Sequence, residues 1–202
     1  MIRLADPRTV ALVFLAAGRG LRLGGGKLGL ELSGQPLGLH AAGTLARIPF
    51  LAHVAICSRS TPSLSPLGYE EVQLFPEGAP LSRSIAQGMA AIECYGADAV
   101  MITLADMPFV PIGHFEAMLA AFDGGKLATL ADHPQPPVLF GKRHFDALSR
   151  LKGDRGAAHL LHKAPVIPLS PDLARDVDTA EDLVAARRYQ SKYLPPGHWL
   201  KD

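Results

Sequence analysis

The chain has 202 residues, is 48% hydrophobic and 19% charged, and carries a formal net charge of +1. That composition suits one soluble globular domain with a sizeable core, and the scattered Lys and Arg form no basic stripe of the kind that binds nucleic acid. No segment approaches the roughly 18 consecutive apolar residues of a membrane span, and Met1-Ile2-Arg3-Leu4-Ala5-Asp6-Pro7 lacks the charged-then-apolar order of a signal peptide, so a cytoplasmic protein without a membrane partner is expected.

Taken from the amino end, strand-like apolar runs fall at about residues 10–15, 53–57, 71–75 and 99–104. Helical patterns fall at about 36–46, 82–94, 111–122, 144–151, 156–163 and 179–189, several opened by a hydroxyl residue or proline. Strand and helix in alternation predict an α/β fold: a three-layer, doubly wound, mostly parallel sheet that takes ligands above its carboxyl edge. The expected organisation is one domain over 1–202, with a core at about 9–190 and a tail at 191–202. After residues 126–130, the stretch Asp132-His133-Pro134-Gln135-Pro136-Pro137 is too proline-rich for a central strand and reads as a loop. Cys57 and Cys94 have no ligand or redox spacing and read as buried small hydrophobes.

The first strand breaks at Gly18 into a loop that carries Arg19 and Arg22 and closes on Lys27. Glycines after a buried strand let backbone N–H groups approach an anion, and the cations can neutralise it, which together suggest a triphosphate loop. Two familiar phosphate loops do not fit. Leu28 follows Gly26-Lys27 where a Walker loop needs Ser or Thr, and Leu23 stands where a dinucleotide fingerprint beginning at Gly18 needs its third glycine.

Downstream, Asp106 follows the strand at 99–104 and can either hold Mg²⁺ or cap the turn before Pro108. Asp178, before the last helix, has the same two readings, with N-cap the simpler one. Glu77-Gly78-Ala79-Pro80-Leu81-Ser82-Arg83-Ser84 opens a helix that could contact a base or ribose, or Ser82 could serve only as its N-cap. Gly153-Asp154-Arg155-Gly156-Ala157 could bind an anionic second substrate, or Asp154 could cap the next helix. The histidines, His133, His144 and His162 among them, show no metal-ligand spacing.

In order along the chain, these segments resemble the nucleotidyltransferases of molybdenum cofactor biosynthesis, above all the cytidylyltransferase branch. The matching pieces are Leu15-Ala16-Ala17-Gly18 through Arg22-Leu23-Gly24 to Lys27, Leu81-Ser82-Arg83-Ser84, Leu104-Ala105-Asp106-Met107-Pro108, Pro137-Val138-Leu139-Phe140, Gly153 to Ala157, and Asp176-Val177-Asp178-Thr179. The resemblance implies a Rossmann-like nucleotidyltransferase that moves CMP from CTP to the terminal phosphate of molybdopterin with release of pyrophosphate. By resemblance, Leu15, Ala16, Ala17, Gly18, Arg19, Gly20, Lys27, Gly78, Ser82 and Ser84 hold the nucleotide. Lys27, Arg22 and Asp106 carry catalysis, and Asp106 and Asp178 bind Mg²⁺. Pro137, Asp154 and Arg155 face the acceptor, and a molybdoenzyme receives the product. Ala-Ala-Gly at 16–18 looks like the cytidylyl form, whereas the guanylyl branch typically carries Ala-Gly-Gly. Leu23, Gly26 and Ala158 depart from the family pattern; an arginine commonly stands at the last of these. Competing readings are the same chemistry with GTP, a sugar phosphate or a methylerythritol phosphate, and a non-catalytic protein that binds and delivers the finished cofactor.

Overall fold

The computed structural model describes residues 5–18, 20–153 and 157–193. A seven-stranded sheet runs in the order β5-β4-β1-β6-β8-β7-β9. Its strands are β1 (Val10–Ala16), β4 (Ala52–Cys57), β5 (Glu70–Gln73), β6 (Ala99–Leu104), β7 (Lys126–Leu130), β8 (Pro134–Gly141) and β9 (Val166–Pro168). A short hairpin of β2 (Glu31–Leu32) and β3 (Gln35–Pro36) stands apart. Only β8 is reversed, pairing antiparallel with β6 and β7, so the mostly parallel doubly wound sheet expected from the sequence is what forms.

The helices are α1 (Leu37–Leu45), α2 (Leu81–Ile92), α3 (Ile112–Ala121), α4 (Phe145–Ser149) and α5 (Ala180–Tyr193). On one face of β1, Leu12 and Phe14 pack with residues of α1, α3 and α5. On the other, Ala11 and Val13 pack with Ile85 and Met89 of α2 and Leu148 of α4. Every residue of β1 is buried, as a central parallel strand covered on both faces must be. Gly88 lets α2 settle onto this strand, because a Cβ there would lie 2.4 Å from Val13 Cγ1. Among the described residues, no helix is long and apolar enough to cross a membrane.

Four expectations need correction. The proline-rich stretch is not a loop: Pro134 to Pro137 form the start of β8. Prolines are tolerated there because β6 pairs only with Val138–Gly141, which leaves that part of the strand hydrogen-bonded on one side, next to a register shift at Ala128/Thr129. Residues 158–161 form only a 3₁₀ turn; the carbonyls of Leu160 and His162 accept from the Lys126 ammonium instead of extending a helix. Cys57 is buried, but Cys94 is exposed, on the 3₁₀ turn that follows α2. Finally, α5 runs past residue 189 to Tyr193, taking in the start of the expected tail.

Candidate active site

The loop after β1 is built around its lysine. Gly20, at φ +55°, lies so close to the Lys27 stem that a Cβ would meet Lys27 Cβ and Cγ at 3.0 Å. Its carbonyl accepts from Leu23 N and Gly25 N, which closes the loop on itself. Gly26 precedes the 3₁₀ turn Lys27–Gly29 at φ +62°, a left-handed position that suits glycine. Lys27 is 4% exposed, so this departure from the family pattern serves to turn the chain and drive the side chain inward.

At the carboxyl edge of the sheet, the Lys27 ammonium donates to Asp106 Oδ2 and Asp178 Oδ1, both at 2.5 Å. Burial opposes the lysine charge, but Asp106 and then Asp178 outweigh it and hold its pKa above the ordinary value. Val177 N donates to Asp106 O at 3.0 Å, which ties the two acidic segments together through their backbones.

Asp178 is not the N-cap of α5. Thr179 Oγ1 accepts from Asp182 N, and Asp182 Oδ2 accepts from Thr179 N and from Asp178 N, a reciprocal capping box. Thr179 and Asp182 satisfy the helix start, which leaves the Asp178 carboxylate to the lysine. Asp106 does not cap α3 either, since Pro111 occupies that position. Asp176 lies nearby; burial, reinforced by the charges of Asp106 and Asp178, pushes its carboxyl above the ordinary range.

Asp106 Oδ1 is buried and has no hydrogen-bond partner. Among the described residues no group of three or more acids, histidines or cysteines forms a complete metal nest. Two carboxylates with one unsatisfied oxygen nevertheless fit a hard octahedral ion, which takes its remaining ligands from phosphate oxygens and water.

The other expected residues are spread around this centre. Leu15, Ala16 and Ala17 are buried at the end of β1, while Gly18 and Arg22 are exposed on the loop. Ser82 and Ser84 are buried in the first turns of α2, and Pro80, not Ser82, occupies the N-cap. Gly78 adopts φ +69° in the preceding turn. Pro137 is buried in β8, and its carbonyl accepts from Thr129 Oγ1. Arg19, Asp154 and Arg155 lie outside the described residues.

Two features escape the sequence reading. Thr61 Oγ1 donates to Ala16 O at 2.7 Å and accepts from Ser58 N, so the turn after β4 braces the start of the glycine loop. The hydroxyl cluster Ser58-Arg59-Ser60-Thr61 directly after a strand was the available signal. Beyond Asp106, a cleft of about 440 Å³ opens between Leu104, His133, Gln135, Pro136, Arg175 and Asp176. His133 has no metal-ligand spacing, and Asp176 is masked in sequence by its neighbour Asp178.

A glycine loop and two acids converging on one buried lysine describe a site for a charged nucleotide. The model of the MobA-like NTP transferase domain matches residues 12–167. This chain belongs to that family. As a MobA-like transferase it has nucleotidyltransferase-type activity, acting on a nucleotide and a phosphate acceptor. The purine catabolism protein PucB of Bacillus subtilis is 30% identical, over 89% of this chain and 96% of its own. The molybdenum cofactor guanylyltransferase of Rhodobacter capsulatus is 30% identical, over 88% of this chain and 94% of its own. In fold, the chain is similar to Rv0371c of Mycobacterium tuberculosis, with a TM-score of 0.75 and 21% identity, over 89% of this chain and 97% of that one.

Proposed function

We propose that this MobA-like transferase moves CMP from CTP to the terminal phosphate of a molybdopterin-type acceptor, releasing pyrophosphate, and that a molybdoenzyme receives the resulting dinucleotide cofactor. The observation that carries the reading is the convergence of Lys27, Asp106 and Asp178 beside the glycine loop. Ala16-Ala17-Gly18 supports cytidine, by its likeness to the cytidylyl form.

An acceptor phosphate oxygen attacks the α-phosphorus in line. A new P–O bond forms, the α–β bridging bond breaks, and its electrons leave on pyrophosphate. A phosphate monoester is already ionised near neutrality, so no strong general base is needed, and catalysis rests on position and charge. The glycine loop and Arg22 receive the triphosphate, with Lys27 offsetting the charge that grows on the leaving group. The resemblance assigns Ser82 and Ser84, at the start of α2, to the neighbourhood of the base, and the cleft beside Asp176 is the proposed place of the acceptor. Mg²⁺ held by Asp106 and Asp178 would supply electrostatic orientation of the phosphates.

A second reading, GMP transfer from GTP, is favoured by the similarity to the Rhodobacter guanylyltransferase. Pyrophosphate release measured with each of the four NTPs, with and without molybdopterin, tests both. The expected result is acceptor-dependent release with CTP and a cytosine dinucleotide product by mass. Faster release with GTP selects the second reading, and no release with any NTP rejects both.

A further inference from the structure

The Lys27 ammonium occupies the position where a cation belongs. Two carboxylate oxygens, from Asp106 and Asp178, lie 2.5 Å from one nitrogen whose side chain is only 5% exposed. We propose that Lys27 holds the place of the divalent ion in the ligand-free site, so that metal enters with the nucleotide and not before it. This inference rests on the nucleotide-transfer reading above and concerns the order in which its ligands assemble.

Charge balance sets this order. Asp106 and Asp178, the two carboxylates that the ammonium touches, bring two negative charges, and the lysine already neutralises one of them; Asp176 adds its charge from nearby, without an ion pair to the lysine among the described residues. A divalent ion arriving alone would share those oxygens with a buried ammonium whose stem is wedged against Gly20. Two cations would then compete for the same two oxygens and repel one another, a repulsion that is screened least on the side of the buried ammonium. A nucleoside triphosphate changes that balance. Its phosphates give the ammonium a new partner, and the carboxylates, including the unpartnered Asp106 Oδ1, are freed for the metal. Metal and nucleotide therefore bind with positive coupling that is routed through one side chain.

Mn²⁺ binding to the nucleotide-free protein, followed by the electron paramagnetic resonance of free Mn²⁺, tests this without turnover. Wild-type protein should bind Mn²⁺ weakly, Lys27→Met at least about tenfold more tightly, and Lys27→Arg, which keeps a cation, as weakly as wild type. Lys27→Met binding Mn²⁺ no more tightly than wild type overturns the proposal. Should Lys27→Met fail to fold, as judged by circular dichroism, the wild-type Lys27 ammonium ¹⁵N resonance answers the question. It should stay in place with Mg²⁺ alone and move when an α,β-methylene analogue of CTP or GTP is added as well. Movement with Mg²⁺ alone overturns the proposal. Either failure leaves CMP transfer intact, whereas failure of CMP transfer leaves the Mn²⁺ titration readable.

Discussion

Lys27 and Asp106 stand 79 residues apart in sequence, yet their side chains meet at 2.5 Å. β1 and β6 are adjacent parallel strands, Leu15 pairing with Leu104, so each delivers its following loop to the same edge of the sheet. Lys27→Ala should leave the circular dichroism spectrum of a folded protein and lower nucleotide transfer by at least about a hundredfold, the scale for losing one charge-stabilising group. Undiminished turnover would remove the loop from the mechanism.

Thr179→Ala should cost about 1 kcal/mol of stability in urea, the usual loss for an N-cap hydroxyl. Because the capping box also fixes the backbone at Asp178, KM for the metal–nucleotide complex should rise more than kcat falls. Thr179→Ser keeps the box and should restore both values. An unaltered KM would separate the cap from the site.

Asp176 gives the site a pH signature. Its carboxyl is held above the ordinary range, so ionisation opposes folding above the unfolded pKa of roughly 3.9, fully so above the folded pKa. Asp176→Asn, melted without divalent ions, should therefore have a higher Tm than the parent at pH 7. The difference should fade as the pH drops below about 3.9. A gain of constant size at every pH would mean that the charge is not its source.

Gly88→Ala should destabilise the fold by up to about 2 kcal/mol. Crowding Val13 costs roughly 1–3 kcal/mol, and improved helix propensity returns up to about 1. Adding Val13→Ala should make room for the new methyl, so a double-mutant cycle in urea should show favourable coupling. Strict additivity would mean that α2 shifts away instead.

The parallel half of the sheet was legible because β1, β4 and β6 are apolar runs whose burial is dictated by period and composition. The other half was harder to read. β8 begins with prolines whose tolerance depends on where β6 stops pairing, a tertiary fact. Lys27 was visible at the close of a glycine loop, and Asp106 at a strand end. That the lysine turns inward onto two acids was not, because its direction follows from Gly20 and Gly26 backbone angles. Asp178 looked like a cap since Thr179 and Asp182 do that work three residues apart, a reciprocity that either residue alone conceals.

The reversal of β8 has an evolutionary meaning. Because it runs against β6 and β7, the short turn Ala131-Asp132-His133 is a hairpin tip, and that tip lines the cleft beside Asp176. Hairpin tips accept insertions and new side chains without disturbing the ladders behind them. Under the proposed function, in which that cleft takes the acceptor, a change of acceptor needs only new side chains at this tip, while the strands that present Lys27 and Asp106 keep their register.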